Sequence, residues 1–156
     1  MKHDLHGQTV SREAVIAATD CVTPSLEIPD TRILRQDPET GKSRSVLDTI
    51  SDNAANAGVV LGTARHKLES VDPRWIGAIV AKNGLVEETG LGAGVLNDPI
   101  ESMRWLAQRM HQYGDKISAG NLVLSGSFIR PIEADAGSHF QADFGSFGRV
   151  DLNFAA

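Results

Sequence analysis

The chain predicts an α+β fold, predominantly β with a few helices, and three observations carry that prediction. Short apolar runs separated by Gly, Asp, Ala and Ser follow one another after Lys116. Lys82-Asn83-Gly84 separates two further apolar runs as a hairpin turn. Between these regions, Asp98-Pro99-Ile100-Glu101 opens one well-marked amphipathic helix. Runs of strands with segregated helices indicate α+β rather than a doubly wound α/β arrangement. At 156 residues the chain is expected to form one domain, 1–156, with a real core.

In chain order, Ser11 to Thr19 reads as a helix with Ser11 as N-cap and Ala14, Val15, Ile16 and Ala18 on its apolar side. Cys21 to Ile28 alternates as a strand ending at Pro29, and Asp37-Pro38-Glu39-Thr40-Gly41 is a turn. Val46–Gly62 places many hydrogen-bonding groups around Ala54-Ala55-Asn56-Ala57-Gly58. It admits two readings: a short Ala-rich helix capped by Ser51 or Asp52 and ended by Gly58, or a wall that lets a ligand approach closely. An exposed linker is expected through Asp72-Pro73. Trp75–Ala81 and Leu85–Thr89 form the hairpin arms. In the helix after Asp98, Glu101 is placed to close a capping box. Ile100, Met103, Leu106, Ala107 and Met110 face the core, and Gly114 stops the helix. Asn121–Ser125, Phe128–Ile132, His139–Phe144 and Gly148–Phe154 are the expected C-terminal strands.

Composition excludes several classes. The net charge of −5, with 15 scattered Lys and Arg, leaves no footprint for nucleic acid or for an anionic membrane surface. No apolar run approaches the roughly 18 residues of a membrane helix, and Met1–Gly7 has no apolar signal core. A single cysteine, Cys21, rules out an internal disulfide and reads as a small buried residue; a cytoplasmic protein is expected. Gly90-Leu91-Gly92-Ala93-Gly94 lacks the spacing of a nucleotide loop, and the five histidines are dispersed.

The carboxylates are more informative. Glu27 stands between Leu26 and Ile28, and a carboxylate in an apolar strand has to be paired, protonated or bound to a metal. An ion pair of Glu27 or Asp30 with Arg32 satisfies that, and so does a hard-cation site. Ser125-Gly126-Ser127, at a strand end, serves either as a hairpin turn or as a holder for a carboxylate or keto oxygen.

Taken in order, Ala18-Thr19-Asp20, Ser25-Leu26-Glu27-Ile28, Asp37-Pro38-Glu39-Thr40-Gly41, Asp48-Thr49-Ile50-Ser51-Asp52-Asn53-Ala54-Ala55-Asn56-Ala57-Gly58, Gly92-Ala93-Gly94-Val95-Leu96-Asn97 and Gly126-Ser127-Phe128 span the chain. Their order resembles the 2-oxo-hept-4-ene-1,7-dioate hydratases, in the 2-keto-4-pentenoate hydratase branch of the fumarylacetoacetate hydrolase superfamily. That resemblance implies a mixed β-sandwich or roll with flanking helices. It implies a hydro-lyase that adds water to an unsaturated 2-keto acid in aromatic-compound catabolism, with Mg²⁺ (or Mn²⁺) as a Lewis acid and a small-molecule 2-keto acid as partner. A homo-oligomer is the expected assembly. By the same resemblance Glu27 is a metal ligand, Asp48 and Asp52 are catalytic carboxylates, and Asn53 and Ser127 bind substrate. Arg65 or Arg130 is the expected partner of a distal substrate carboxylate.

The resemblance also places two further glutamate ligands, in an E-x-E strand, ahead of Met1. It implies a chain corresponding to the C-terminal part of such an enzyme. Lys commonly stands three residues before the signature Asp in that family, where this chain has Ser45. The alternative activities are 2-keto-4-pentenoate hydration and 4-oxalocrotonate decarboxylation; the alternative of a different class is an inactive fragment or assembly partner.

Overall fold

A computed structural model describes residues 1–156. The chain divides into two compact units, one built from Met1–Pro24 and Gly62–Ala156, the other from Ser25–Leu61.

In the larger unit, helix α1 (Arg12–Ala18) starts where Ser11 accepts a hydrogen bond from the backbone N–H of Ala14, as its N-cap position predicts. Helix α3 (Pro99–Gln112) buries Ile100, Met103 and Ala107 at one-turn spacings. They join Leu5, Val10, Val15, Ala18, Leu68 and Ile117 in one core. Asp98 caps α3 through the N–H of Ile100 at 2.9 Å and also receives the Arg12 guanidinium, which couples the two helix starts. Glu101 does not close a capping box; it pairs with Arg104 at 2.8 Å, whose Nε reaches the carbonyl of Val10. Leu68 is buried in this core and Pro73 is buried too, so the stretch before Trp75 is not the exposed linker its composition suggests.

Strands β3 (Gly77–Lys82) and β4 (Leu85–Leu91) form the expected hairpin, with Asn83 and Gly84 at φ 53° and 83°. Left-handed conformations at both turn residues match the twist of the flanking strands. Strands β5 (His139–Asp143) and β6 (Arg149–Asn153) complete an open antiparallel sheet in the order β4-β3-β5-β6. Alternation decides its faces: Ala78, Val80, Phe140, Ala142 and Val150 are buried, while Ile79 between the first two is half exposed.

Two expected strands are absent. Asn121–Ser125 and Phe128–Ile132 enter no ladder. Gly126 at φ 127° turns the chain between them, and Pro131 has no N–H to donate. Here the glycine run acquires its reason. A Cβ at Gly90 would lie 2.1 Å from the carbonyl oxygen of Phe128, and one at Gly92 would lie 1.9 Å from that of Pro73. Both glycines serve close backbone approach, not phosphate binding.

In the smaller unit, β1 (Ser25–Pro29) pairs antiparallel with β2 (Asn56–Leu61), from Ser25↔Leu61 to Pro29↔Asn56. The strand expected from Cys21 is therefore shorter. Pro24 offers no N–H, and Val22 keeps only an isolated bridge to His66 within the larger unit. Cys21 is half-buried rather than enclosed. Asp37 shapes its turn by accepting from the N–H groups of Glu39 and Thr40. Helix α2 (Val46–Ser51) is capped at its start by Ser45, not by Ser51 or Asp52, and leaves Val46, Leu47 and Ile50 exposed. The Ala-rich stretch is no helix of its own: Asn53–Ala55 is a single turn, and Gly58 lies inside β2.

Candidate functional site

The smaller unit holds four of the five residues singled out from sequence. Asp48 is the third residue of α2. Its Oδ2 accepts from the backbone N–H of Ser45 at 2.7 Å and from the Ser45 hydroxyl at 2.8 Å, while Ser45 Oγ accepts from the Asp48 N–H. This reciprocal capping box satisfies helix donors, and the Ser45 backbone and hydroxyl bonds hold the Asp48 carboxyl below the usual range.

Asp52 is buried, with 5% of its surface exposed, and is fully engaged. Its Oδ2 accepts from the Arg32 backbone N–H at 2.8 Å and lies 3.0 Å from the Thr31 hydroxyl; its Oδ1 takes the Arg32 Nε. Burial disfavours the charged form, but the Arg32 backbone and guanidinium bonds and the Thr31 hydroxyl outweigh it and keep the carboxyl below the usual range. The Arg32 partner is thus Asp52, and neither Glu27 nor Asp30, as spacing had suggested. Arg32 Nη2 also bonds the carbonyls of Asp52 and Asn56, so one guanidinium spans both ends of the turn between them.

That turn runs left-handed. Asn53, Ala54 and Ala55 have φ of 53°, 53° and 61°. Non-glycine residues in this region are costly, and a run of three persists only where neighbouring contacts over-determine it. The Arg32 clamp supplies such contacts, as does the Asp30 N–H donated to the Ala55 carbonyl at 2.8 Å. Asn53 turns its amide back to the Asn56 carbonyl at 3.3 Å.

Glu27 is exposed on β1 rather than enclosed among apolar neighbours. Its Oε1 accepts from the side-chain amide of Asn56 at 2.7 Å. Sequence reasoning missed Asn56 and the true partner of Arg32, because both contacts join residues 20 or more positions apart and carry no local signal. As a metal site this donor set is one corner of a shell. Glu27 is a hard carboxylate ligand with Oε2 free of protein partners, yet no three His, Cys, Asp or Glu side chains converge anywhere in the chain.

Ser127 belongs to the larger unit. It is exposed, with its hydroxyl 2.9 Å from the carbonyl of Ile129 and 3.3 Å from the Ile129 N–H, a local hydroxyl turn. Arg65 pairs with Asp20 at 3.0 Å and Arg130 with Glu88 at 2.5 Å. His66 stacks on Phe147 and bonds its carbonyl at 2.8 Å, a packing role. No helix is long and apolar enough to cross a membrane.

No family model matches the chain. It is 46% identical over 150 residues to the 2-oxo-hept-4-ene-1,7-dioate hydratase of Escherichia coli, covering 96% of this chain and 56% of that protein. It is 34% identical over 154 residues to the 2-hydroxyhexa-2,4-dienoate hydratase of Comamonas testosteroni, again covering 56% of the relative. The 4-oxalocrotonate decarboxylase of Pseudomonas putida G7 superposes with a TM-score of 0.86 in a complex with calcium and acetate, and 0.87 in one with magnesium and adipate. Identity is 32% in both cases, over 56% of that chain. The chain therefore spans about half the length of the relatives it matches. Identity of this order along nearly every residue, on a shared fumarylacetoacetate-hydrolase-like fold, makes the chain similar to about half of a 2-keto-4-pentenoate-hydratase-type enzyme, a likeness it shares with the 4-oxalocrotonate decarboxylases.

Proposed function

We propose that the chain is part of a hydro-lyase that adds water to 2-oxo-hept-4-ene-1,7-dioate in homoprotocatechuate catabolism, with Mg²⁺ or Mn²⁺ as its ion. The observation that carries this reading is the 46% identity to the E. coli hydratase over 96% of the chain. Divalent ions in the related decarboxylase complexes support the ion. Such an ion supplies Lewis-acid polarisation of a 2-oxo group.

The residues have distinct tasks in this reading. Glu27 offers its free carboxylate oxygen as a ligand. Asp52 acts through the fold: its lone pairs are occupied by Arg32 and Thr31, so it anchors the left-handed turn while remaining an anion. Asp48 is exposed and retains Oδ1 for a proton relay while Oδ2 caps the helix. Asn53 and Ser127 present exposed polar groups for substrate oxygens. A soluble homo-oligomer belongs to the same reading.

Decarboxylation is the second reading, favoured by the TM-scores to the 4-oxalocrotonate decarboxylase. Both chemistries polarise a 2-keto acid, so fold alone does not separate them. The test compares the 156-residue chain with the same chain fused to the part of the E. coli hydratase that it does not span. Each is assayed spectrophotometrically with 2-oxo-hept-4-ene-1,7-dioate and Mg²⁺, and for CO₂ release from 4-oxalocrotonate. Hydration by the fused form, with little or none by the chain alone, is expected. A fused form that releases CO₂ without hydrating, or that hydrates only a five-carbon keto acid, overturns the proposal.

A further inference from the structure

We propose that the solvent face of α3 is a docking surface for a second copy of this chain, the two α3 helices crossing antiparallel at Trp105. This surface lies beyond the hydratase reading and does not depend on it, while giving the homo-oligomer of that reading an interface.

The helical period supplies the starting point. Ile100, Met103 and Ala107 are buried and mark the core side of α3. At 3.6 residues per turn, Trp105 stands about 140–160° around the helix from each of them. It is accordingly 58% exposed, in the middle of the face turned away from the core. A single exposed apolar residue needs no explanation, but its neighbours on this face supply one. Glu101 lies in the first turn of α3 and Arg109 in the last, each four residues from Trp105 and so about 6 Å from it along the axis. A second α3 running antiparallel across a twofold axis at Trp105 brings Arg109 of each copy opposite Glu101 of the other. It also sets the N-terminal dipole end of each helix beside the C-terminal end of its mate. A parallel crossing would oppose Glu101 to Glu101 and Arg109 to Arg109. Charge therefore selects the antiparallel crossing, which is self-complementary as a twofold interface requires.

Both charged groups are held in advance. Arg109 Nη1 donates to Gln112 Oε1 at 3.0 Å, and the guanidinium carbon stands 5.0 Å from the centre of the exposed Tyr113 ring. Its Nε and Nη2 remain to donate to a carboxylate. Glu101 accepts from Arg104 Nη1 through both oxygens, at 2.9 and 2.8 Å, and keeps lone pairs for a second guanidinium. Trp, Tyr and Arg are also the residues that carry most of the binding energy at protein interfaces.

The test reads the 156-residue chain itself, by sedimentation velocity over a range of concentrations. A single helix crossing lies at the small end of interface sizes, so a dimer that dissociates on dilution through the micromolar range is expected. Trp75→Phe leaves Trp105 as the one tryptophan, and its emission should move to the blue over the same range. Trp105→Ala should weaken dimerisation by about 30-fold or more, with unchanged circular dichroism. Arg109→Glu and Glu101→Lys should each be monomeric alone and pair with one another when mixed, because only the mixed pair restores both opposite-charge contacts.

A chain that stays monomeric throughout, or folded charge variants that do not pair on mixing, overturns the proposal. So does a dimer that Trp105→Ala leaves unchanged, since its interface then lies elsewhere. Burial of Trp105 only after fusion to the part of the E. coli hydratase that the chain does not span assigns this face to that part, and also overturns it. Should Glu101→Lys not fold, Trp105→Ala and the Trp105 emission decide between these outcomes. None of these measurements reads activity, so failure here and failure of the hydratase reading are separate results.

Discussion

Asn53, Ala54 and Ala55 carry the most unusual local chemistry of the chain. Each L-residue in the left-handed region costs about 1–2 kcal/mol, and two of these are alanines with no polar side chain to offset it. Ala54 is exposed, so its Cβ contributes little packing in return. Ala54→Gly is therefore expected to raise the unfolding free energy by about 0.5–1 kcal/mol, after the greater freedom of glycine in the unfolded chain is subtracted. Urea denaturation checks this, and a lower midpoint contradicts the conformation assigned to the turn. The polar character of this segment was legible in the sequence. Its left-handed backbone was not, because Ala-Ala by itself favours a right-handed helix. What reverses the hand is the Arg32 clamp on Asp52 and Asn56, made from 20 or more residues away.

Among the elements, those specified by adjacent residues were legible and those specified by distant partners were not. Ser11 before α1, Asp98-Pro99 before α3 and Asn83-Gly84 between β3 and β4 all act within a few residues, and each lies where its local chemistry puts it. Asn121–Ser125 carries the apolar run Leu122-Val123-Leu124 that a strand would have, but an apolar run does not supply a partner, and no ladder forms. Glu27 had the opposite fate: its apolar sequence neighbours implied enclosure, yet β1 sits in a two-stranded sheet that leaves its side chain exposed. The glycines around β4 show a third case, where spacing excluded a nucleotide loop without revealing the packing they permit. Gly92→Ala drives a methyl group to within 1.9 Å of the Pro73 carbonyl and forces the backbone to move. A destabilisation of about 1–3 kcal/mol is expected by thermal denaturation. An unchanged midpoint would show that the turn at Gly92–Gly94 yields freely.

At the scale of the molecule, several aspartates act in the same direction. Lys116 holds Asp4 below the usual range, Arg74 does so for Asp72, Lys82 for Asp135 and Arg149 for Asp151; backbone N–H groups do so for Asp37 and Asp48. A carboxyl whose pKa is lower folded than unfolded contributes stability above its unfolded value, about 3.9 for Asp, and loses that contribution as pH falls through the folded value. The urea midpoint is therefore expected to be lower at pH 3 than at pH 6, with Asp52→Asn losing part of that difference. An equal midpoint at both values contradicts it. The β1–β2 pairing has a kinetic consequence as well. The β3–β4 hairpin closes across Asn83 and Gly84, whereas Pro29 meets Asn56 only after the whole Asp30–Ala55 excursion has been gathered in. Longer loops cost more entropy before their ends reward it, and distant pairings form later than local ones. The contact between Asn56 and Glu27 is consequently a late product of folding, assembled after the local hairpin exists.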